Sequence, residues 1–176
     1  MWGLALSTSI KFTVGIILVS GLVSFVKNFI LQFIGSNLGR WLIILFDQFL
    51  TLPGVLIHEL AHALGAILTG AKVVHFTIIK HGDALGSVQV AFTNQFLLGS
   101  IQRYVVAIAP IVVGGIITFL ICKRMAGHHN IWSIYLLICI IAHMDLSSQD
   151  IRVLLPGLPV IVFIGTIIAR LALRSK

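Results

Sequence analysis

Five long apolar stretches dominate this 176-residue sequence and constrain what it can fold into. A helix needs roughly 20 mainly apolar residues to cross the hydrocarbon core of a bilayer. Stretches of this kind run from Phe12 to Ile34, Trp41 to Thr69, Ser100 to Cys122, Ile131 to Met144 and Leu154 to Leu173. We therefore predict an all-α polytopic membrane protein with about five transmembrane helices, forming a single membrane-embedded domain over residues 1–176.

The composition supports a lipid-facing surface. Hydrophobic residues make up 59% of the sequence and charged residues only 10%, whereas a soluble domain carries about a quarter charged residues. The basic residues that give the net charge of +7 are scattered singly at the ends of apolar runs, which suits contact with lipid headgroups. No basic stripe with interleaved aromatic residues is present, so we expect no nucleic-acid partner. We expect a multi-pass integral protein of the cell membrane, with the lipid bilayer as its surroundings.

The pattern changes between the second and third stretches. The segment "KVVHFTIIKHGDALGSVQVAF" is rich in Val, Ile, Thr and Phe and has Gly and Asp at its centre. This pattern predicts a short β-hairpin, with Lys72 to Lys80 paired with Ser87 to Phe92. An open sheet edge cannot face hydrocarbon, so we expect the hairpin at the membrane interface or inside a cavity.

The second stretch contains "LPGVLIHELAHALGAILTG", which holds the only glutamate of the chain, Glu59. Pro53–Gly54 near its start predicts either one kinked helix or a short helix followed by a longer one. The letters "HELAH" fit the pattern H-E-x-x-H, of which this composition would give roughly 0.002 accidental matches. Residues four apart share a helix face, so His58 and His62 can present two imidazoles to one ion.

This motif predicts a zinc site. Zinc suits imidazole and carboxylate ligands, and a catalytic zinc site keeps one position for water. The metal lowers the pKa of that water, and the adjacent Glu59 can take its proton as a general base. The alternative is a structural, hydrogen-bonded cluster of His58, Glu59 and His62.

A catalytic zinc ion needs a third protein ligand, and the other acids of the chain are Asp47, Asp83, Asp145 and Asp150. Asp47 lies across the Pro–Gly break from the motif, and Asp83 lies in the predicted turn, where aspartate is ordinary. Asp145 and Asp150 lie in "AHMDLSSQDI" at the end of the fourth stretch, from which a ligand can approach His62. Asp145 could instead pair with Arg152, and Asp150 could cap the fifth helix. The residues alone leave both open, and His143 could also bind or support the metal.

The sequence resembles the site-2 protease family of intramembrane zinc metalloproteases, as a small, divergent member. The resemblance rests on "HELAHAL" in an apolar stretch, on the hairpin that follows it, and on "AIAPIVVGG" followed by a stretch that ends in aspartate. It covers roughly Leu52 to Ile151. It implies that His58 and His62 bind zinc, that Glu59 is the general base, and that a membrane-protein or peptide substrate is cleaved within or near a transmembrane segment. It also implies that the hairpin pairs with an unwound substrate strand.

The resemblance also bears on the third ligand. Typical members carry it in a Leu-Asp-Gly pattern, which is absent after His62. Small divergent relatives use a serine-rich segment that ends in aspartate, and "LSSQD" is similar, so the resemblance favours Asp150. Two other functions are open: a non-catalytic zinc-binding membrane protein of the same fold that binds other membrane helices, and a small transporter or channel. The sequence has no inverted repeat, which is evidence against a transporter.

Overall fold

The computed structural model describes residues 2–38, 51–78, 86–127 and 130–174. Its helices are α1 (Trp2–Leu38), α2 (Leu52–Leu68), α3 (Phe96–Met125), α4 (Ile131–Ala142), α5 (Ser148–Leu154) and α6 (Leu158–Arg174), and a 3-10 turn at Leu155–Gly157 joins the last two. Two strands, β1 (Lys72–Thr77) and β2 (Ser87–Ala91), lie between α2 and α3. The described chain is thus helical apart from one hairpin, as the sequence predicts.

Within the residues that the structure describes, three stretches are long and apolar enough to cross a membrane: Trp2–Phe33, Phe96–Met125 and Ser148–Leu173. Helices α2 and α4 are apolar but shorter, with 17 and 12 residues. At 1.5 Å per residue α4 extends about 18 Å, against about 30 Å of hydrocarbon. Five full-length spans are therefore not seen among the described residues, although the second predicted span also includes residues 41–50, which lie outside them.

Helix α2 begins and ends at residues that break helices. Pro53 lies in its first turn, where a missing N–H has no helical acceptor to lose. The Pro53–Gly54 pair therefore starts this helix and does not kink it. At the other end Gly70 adopts a positive φ of 71°, and the amide of Ala71 donates to the carbonyl of Ala66 at 2.8 Å. This left-handed turn ends α2 and starts the hairpin directly.

Two glycines let α2 approach its neighbours closely. A Cβ at Gly54 would collide with the backbone carbonyl of Cys139 in α4, and a Cβ at Gly65 would lie 3.2 Å from the Cα of Val106 in α3. Because glycine has no side chain at these two positions, the backbones of α3 and α4 lie close to α2. The consequence is that His58 and His62 can contact the backbones of α4 and α3.

The hairpin is antiparallel, and its register shifts at Val74, where β1 carries one extra residue. Its apolar side chains Val73, Val90 and Phe92 pack against the core residues Ala66, Ala71 and Val106. The fully buried Gln102 of α3 accepts a hydrogen bond from the amide of Thr93 at 2.9 Å and donates one to the carbonyl of Thr69 at 3.1 Å. One side chain thus holds both ends of the hairpin. The predicted turn, with Lys80 and Asp83, lies outside the described residues.

Helix α1 contacts the segment between α4 and α5 through one polar face. Ser20, Ser24 and Lys27 follow one another at helical spacing. The Ser20 hydroxyl accepts a hydrogen bond from the amide of Leu146 at 2.6 Å, and Lys27 forms an ion pair with Asp145 at 3.0 Å. These contacts hold the segment that leads into α5, so they fix where α5 begins.

Candidate metal centre

His58 and His62 lie one turn apart on α2, and their rings meet edge to face. Their Nε2 atoms are 3.1 Å apart, and the ring planes are inclined at 78°. The spacing of the motif alone predicts that both rings share a face of the helix. What spacing does not predict is that the same nitrogen of each ring points to the same place.

The other nitrogen of each ring faces a backbone carbonyl. Nδ1 of His62 lies 2.8 Å from the carbonyl oxygen of Val106, and Nδ1 of His58 contacts the carbonyl oxygen of His143. A carbonyl only accepts, so each Nδ1 carries the proton and donates it. In neutral rings each Nε2 then holds a lone pair. Two lone pairs directed at each other at 3.1 Å are stabilised by a positive charge, which is either a proton taken up by one ring or a metal ion held by both.

Asp150 completes this group from the first turn of α5. Its Oδ1 lies 3.1 Å from Nε2 of His62, and its Oδ2 lies 3.8 Å from Nε2 of His58. The ligand atoms of the three residues all lie within 4.8 Å of one another. Two imidazoles and one carboxylate, all with lone pairs directed inward, form the donor set of a catalytic zinc site. The residues present therefore fit a zinc ion.

A capping box fixes the carboxylate of Asp150. Ser147 is the N-cap of α5, and Asp150 is the third residue after it. Both the amide and the hydroxyl of Ser147 donate to Oδ2 of Asp150, at 2.8 and 2.6 Å, and the amide of Asp150 donates back to the hydroxyl at 3.1 Å. The expected alternative role of Asp150 as the N-cap is thus wrong, because Ser147 holds that position. Oδ1 accepts neither of these hydrogen bonds and faces His62.

Asp145 lies apart from this group. Its Oδ2 accepts hydrogen bonds from the Ser24 hydroxyl at 2.6 Å and from the Lys27 ammonium at 3.0 Å. Burial alone would raise the pKa of Asp145, but the Ser24 hydrogen bond and the Lys27 charge outweigh it, so this pKa lies below its ordinary value. Its cationic partner is Lys27 and not Arg152, the partner considered from the sequence.

Glu59 lies on the wall of a cavity of about 940 Å³ that also contains the three residues of the metal centre. The carboxylate packs against the start of β2: a Cβ at Gly86 would lie 2.7 Å from Cγ of Glu59, and the amide of Val88 interacts with the carboxylate as a hydrogen-bond donor. The glutamate is thus held by the hairpin, beside the histidines. The sequence places Glu59 next to them but gives no sign of this contact.

The remaining candidates divide into those that approach the centre and those that do not. His143 contributes its backbone carbonyl to His58, and its ring Nε2 lies 2.8 Å from the hydroxyl of Thr51. His75 is exposed on β1, away from the group of three. Asp47 and Asp83 lie outside the described residues. Sequence reasoning missed Ser147 and Gln102, although a serine three residues before an aspartate is a recognisable capping signal.

Comparison with known proteins identifies one family. A family model with the description "Putative zincin peptidase" matches residues 51–156, which is more than half of the chain. The match begins at the residue before α2 and ends in the turn after α5, so it contains the motif helix, the hairpin and Asp150. No curated protein and no solved structure matches the chain.

Proposed function

Because the chain belongs to this "Putative zincin peptidase" family, we propose that it is a membrane-embedded zinc metallopeptidase. In this proposal His58, His62 and Asp150 hold one zinc ion, and Glu59 is the general base. The observation that carries the proposal is the convergence of two imidazole lone pairs and a carboxylate oxygen within 4.8 Å. Family membership supports the metallopeptidase class, and the cleavage of membrane segments is a further part of the proposal.

The chemistry divides between the metal and the protein. A zinc ion in this position supplies a Lewis acid and lowers the pKa of water in the site. Glu59 takes a proton from the attacking water as its oxygen adds to the peptide carbonyl carbon. The same carboxyl group then gives that proton to the amine nitrogen as the C–N bond breaks. His143 and Val106 contribute carbonyls that keep the two imidazoles in one tautomer.

The hairpin is the proposed substrate-binding element. Five consecutive residues of the chain, Gly86 to Val90, line the cavity, and no residue of β1 does. Alternate side chains of a strand point to opposite faces, so an unbroken run of lining residues is what a strand edge presents. An extended peptide that pairs with this edge of β2 would pass beside Glu59.

Membrane-spanning substrates suit this arrangement. The three long apolar helices of the described chain support a place for the protein in the bilayer, and a substrate helix there hides its amides in its own hydrogen bonds. It must unwind locally before β2 can bind it as a strand. We therefore propose cleavage of a membrane-protein or peptide substrate within or near a transmembrane segment, by a multi-pass protein of the cell membrane.

Purified protein in detergent tests the proposal through zinc content and peptide cleavage. We expect one zinc ion per chain in the wild type and in Glu59→Gln, and cleavage of a panel of transmembrane peptides by the wild type only. Loss of a general base lowers the rate about 10²–10⁴-fold. Leu60→Ala, at the next position of α2 on an exposed part of the helix, is the matched control and should retain both.

Each other outcome is informative. Normal cleavage by Glu59→Gln contradicts the role of the glutamate. A wild-type protein that binds zinc but cleaves no peptide in the panel favours the alternative, a non-catalytic zinc-binding protein that binds other membrane helices. If the purified wild type contains no zinc even after incubation with zinc, both the peptidase and the non-catalytic zinc-binding hypotheses are contradicted.

A further inference from the structure

Helix α3 contains a proline at a position where a helix normally has none. Pro110 is buried in the interior of α3, fourteen residues after its first residue, Phe96. Proline has no N–H, so it cannot donate the helical hydrogen bond to the residue four positions earlier. That residue is Val106. The carbonyl of Val106 is therefore without its ordinary helical donor.

The carbonyl of Val106 is the acceptor that orients His62. Nδ1 of His62 donates to it at 2.8 Å, and both residues are buried. The close approach of Gly65 to Val106 brings the two helices together at this level. One of the two histidines of the metal centre is thus held by the carbonyl that Pro110 leaves available.

The second histidine is held by the same kind of group. His58 donates to the carbonyl of His143, the C-cap residue of α4. A helical continuation would supply the amide of Ser147 to that carbonyl, but this amide donates to Asp150. A helix end frees the acceptor for His58. Val106 lies in the middle of α3 and not at a helix end, and there Pro110 leaves the carbonyl without its helical donor.

We propose that Pro110 is a positioning residue for the metal centre: by withholding its N–H from Val106, it reserves that carbonyl for His62 and fixes the ring with Nε2 directed to the metal. This inference rests on the zinc site of the proposed function. Partners of metal-bound histidines keep the tautomer and orientation of the ring, and their loss typically weakens metal affinity about 10–100-fold.

Two substitutions that restore the N–H test this role. Pro110→Ala and Pro110→Gly both provide an amide that competes with His62 for Val106, but glycine destabilises a helix interior relative to alanine. We expect zinc affinity, measured by chelator competition, to fall about tenfold in both variants and to the same extent, while Pro110→Gly melts at the lower temperature. The absorption spectrum of the Co²⁺-loaded protein should change in both, because the orientation of a ligand has changed.

Pro159→Ala is the matched control, since the carbonyl four residues before Pro159, that of Leu155, accepts from the amide of Leu158 and not from a residue of the metal centre. It should retain the affinity and the cobalt spectrum of the wild type.

Wild-type affinity and spectrum in both Pro110 variants overturn the inference and leave the zinc site intact. If zinc affinity falls in Pro110→Gly, the variant with the lower melting temperature, but not in Pro110→Ala, the role of Pro110 is purely structural. Failure of the wild type to bind either metal overturns the proposed function itself. If one variant does not fold, the other decides alone, because both restore the same N–H.

Discussion

Two aspartates only five residues apart illustrate how differently one side chain can be used. Asp145 and Asp150 are both largely buried, and each accepts a hydrogen bond of 2.6 Å from a serine hydroxyl. Asp145 receives its serine from α1 and also has a lysine ammonium at 3.0 Å. Asp150 receives its serine from its own helix cap and otherwise faces only Nε2 atoms of histidines.

The difference lies in the positive charge. Lys27 supplies a full charge to Asp145, so that carboxylate is satisfied within the protein. The imidazoles facing Asp150 have their protons directed away, toward backbone carbonyls, so Asp150 and both rings present lone pairs to one another. The carboxylate of Asp145 has a resident cation, whereas the group around Asp150 gains its positive charge either as a proton on an imidazole or as the proposed zinc ion. The identity of the partners, more than depth or hydrogen bonding, separates the two roles.

Zinc binding should depend on Asp150 and be independent of Asp145. Asp150→Asn removes the anionic ligand, so we expect a loss of zinc affinity of more than about 100-fold, above the range for residues that only support a ligand. Asp145→Asn should bind zinc like the wild type, because its carboxylate belongs to Lys27. Zinc titration of the two purified variants measures both. Equal zinc loss in the two, or loss in Asp145→Asn alone, would contradict the assignment.

The stability of the protein should depend on the ion pair between Lys27 and Asp145. Lys27→Met leaves the carboxylate of Asp145 partly buried without its cation, which should cost about 1–3 kcal/mol of unfolding free energy. The double variant with Asp145→Asn should recover part of that loss, since no unpaired charge remains. Lys11→Met, on an exposed part of α1, is the control. Denaturant unfolding in mixed micelles measures the four proteins, and a Lys27→Met protein as stable as the control would refute the pairing.

Ser147 and Ser24 should affect different properties, namely zinc affinity and stability. Ser147→Gly keeps an acceptable N-cap residue but removes one of the two donors to Oδ2 of Asp150, so zinc affinity should fall about tenfold. Ser24→Ala should leave zinc affinity unchanged and lower the unfolding free energy by about 1 kcal/mol. Parallel zinc titrations and unfolding curves check both. The same pattern in the two variants would mean that the serines do not serve separate sites.

Much of the site follows from local sequence. The spacing of "HELAH" places His58, Glu59 and His62 on α2, and alternation of apolar and polar residues predicts the hairpin that Glu59 contacts. These features depend on helical and strand periodicity, which a sequence displays directly. The family match is consistent with the metallopeptidase interpretation but does not test the narrower resemblance to site-2 proteases.

The choice between Asp145 and Asp150 could not be made from the residues. It depends on the path of the chain between α4 and α5, where five non-helical residues carry no periodic pattern. That path is set by contacts with α1, which lies more than 100 residues earlier in the chain. The signal was present in Ser20, Ser24 and Lys27, a polar stripe at helical spacing, but a stripe does not name its partner.

Span lengths were also beyond local reasoning. The fourth apolar stretch extends to Met144, but the helix stops at Ala142, where His143 turns its carbonyl toward His58. In the same way, Pro53–Gly54 is as consistent with a kink as with a helix start until Thr51, the residue before Leu52, is seen as the N-cap. Tertiary contacts decide both boundaries.

Gly54 also limits how this protein can evolve. Because its Cα faces the carbonyl of Cys139 with no room for one more carbon, position 54 accepts a single amino acid as long as α2 and α4 keep their distance. Any replacement would move α4 outward and carry the His143 carbonyl away from His58. Adjustments to the metal centre by mutation must therefore arise elsewhere, and in a set of homologous sequences this position should vary less than the exposed residues Leu52 and Leu60 of the same helix.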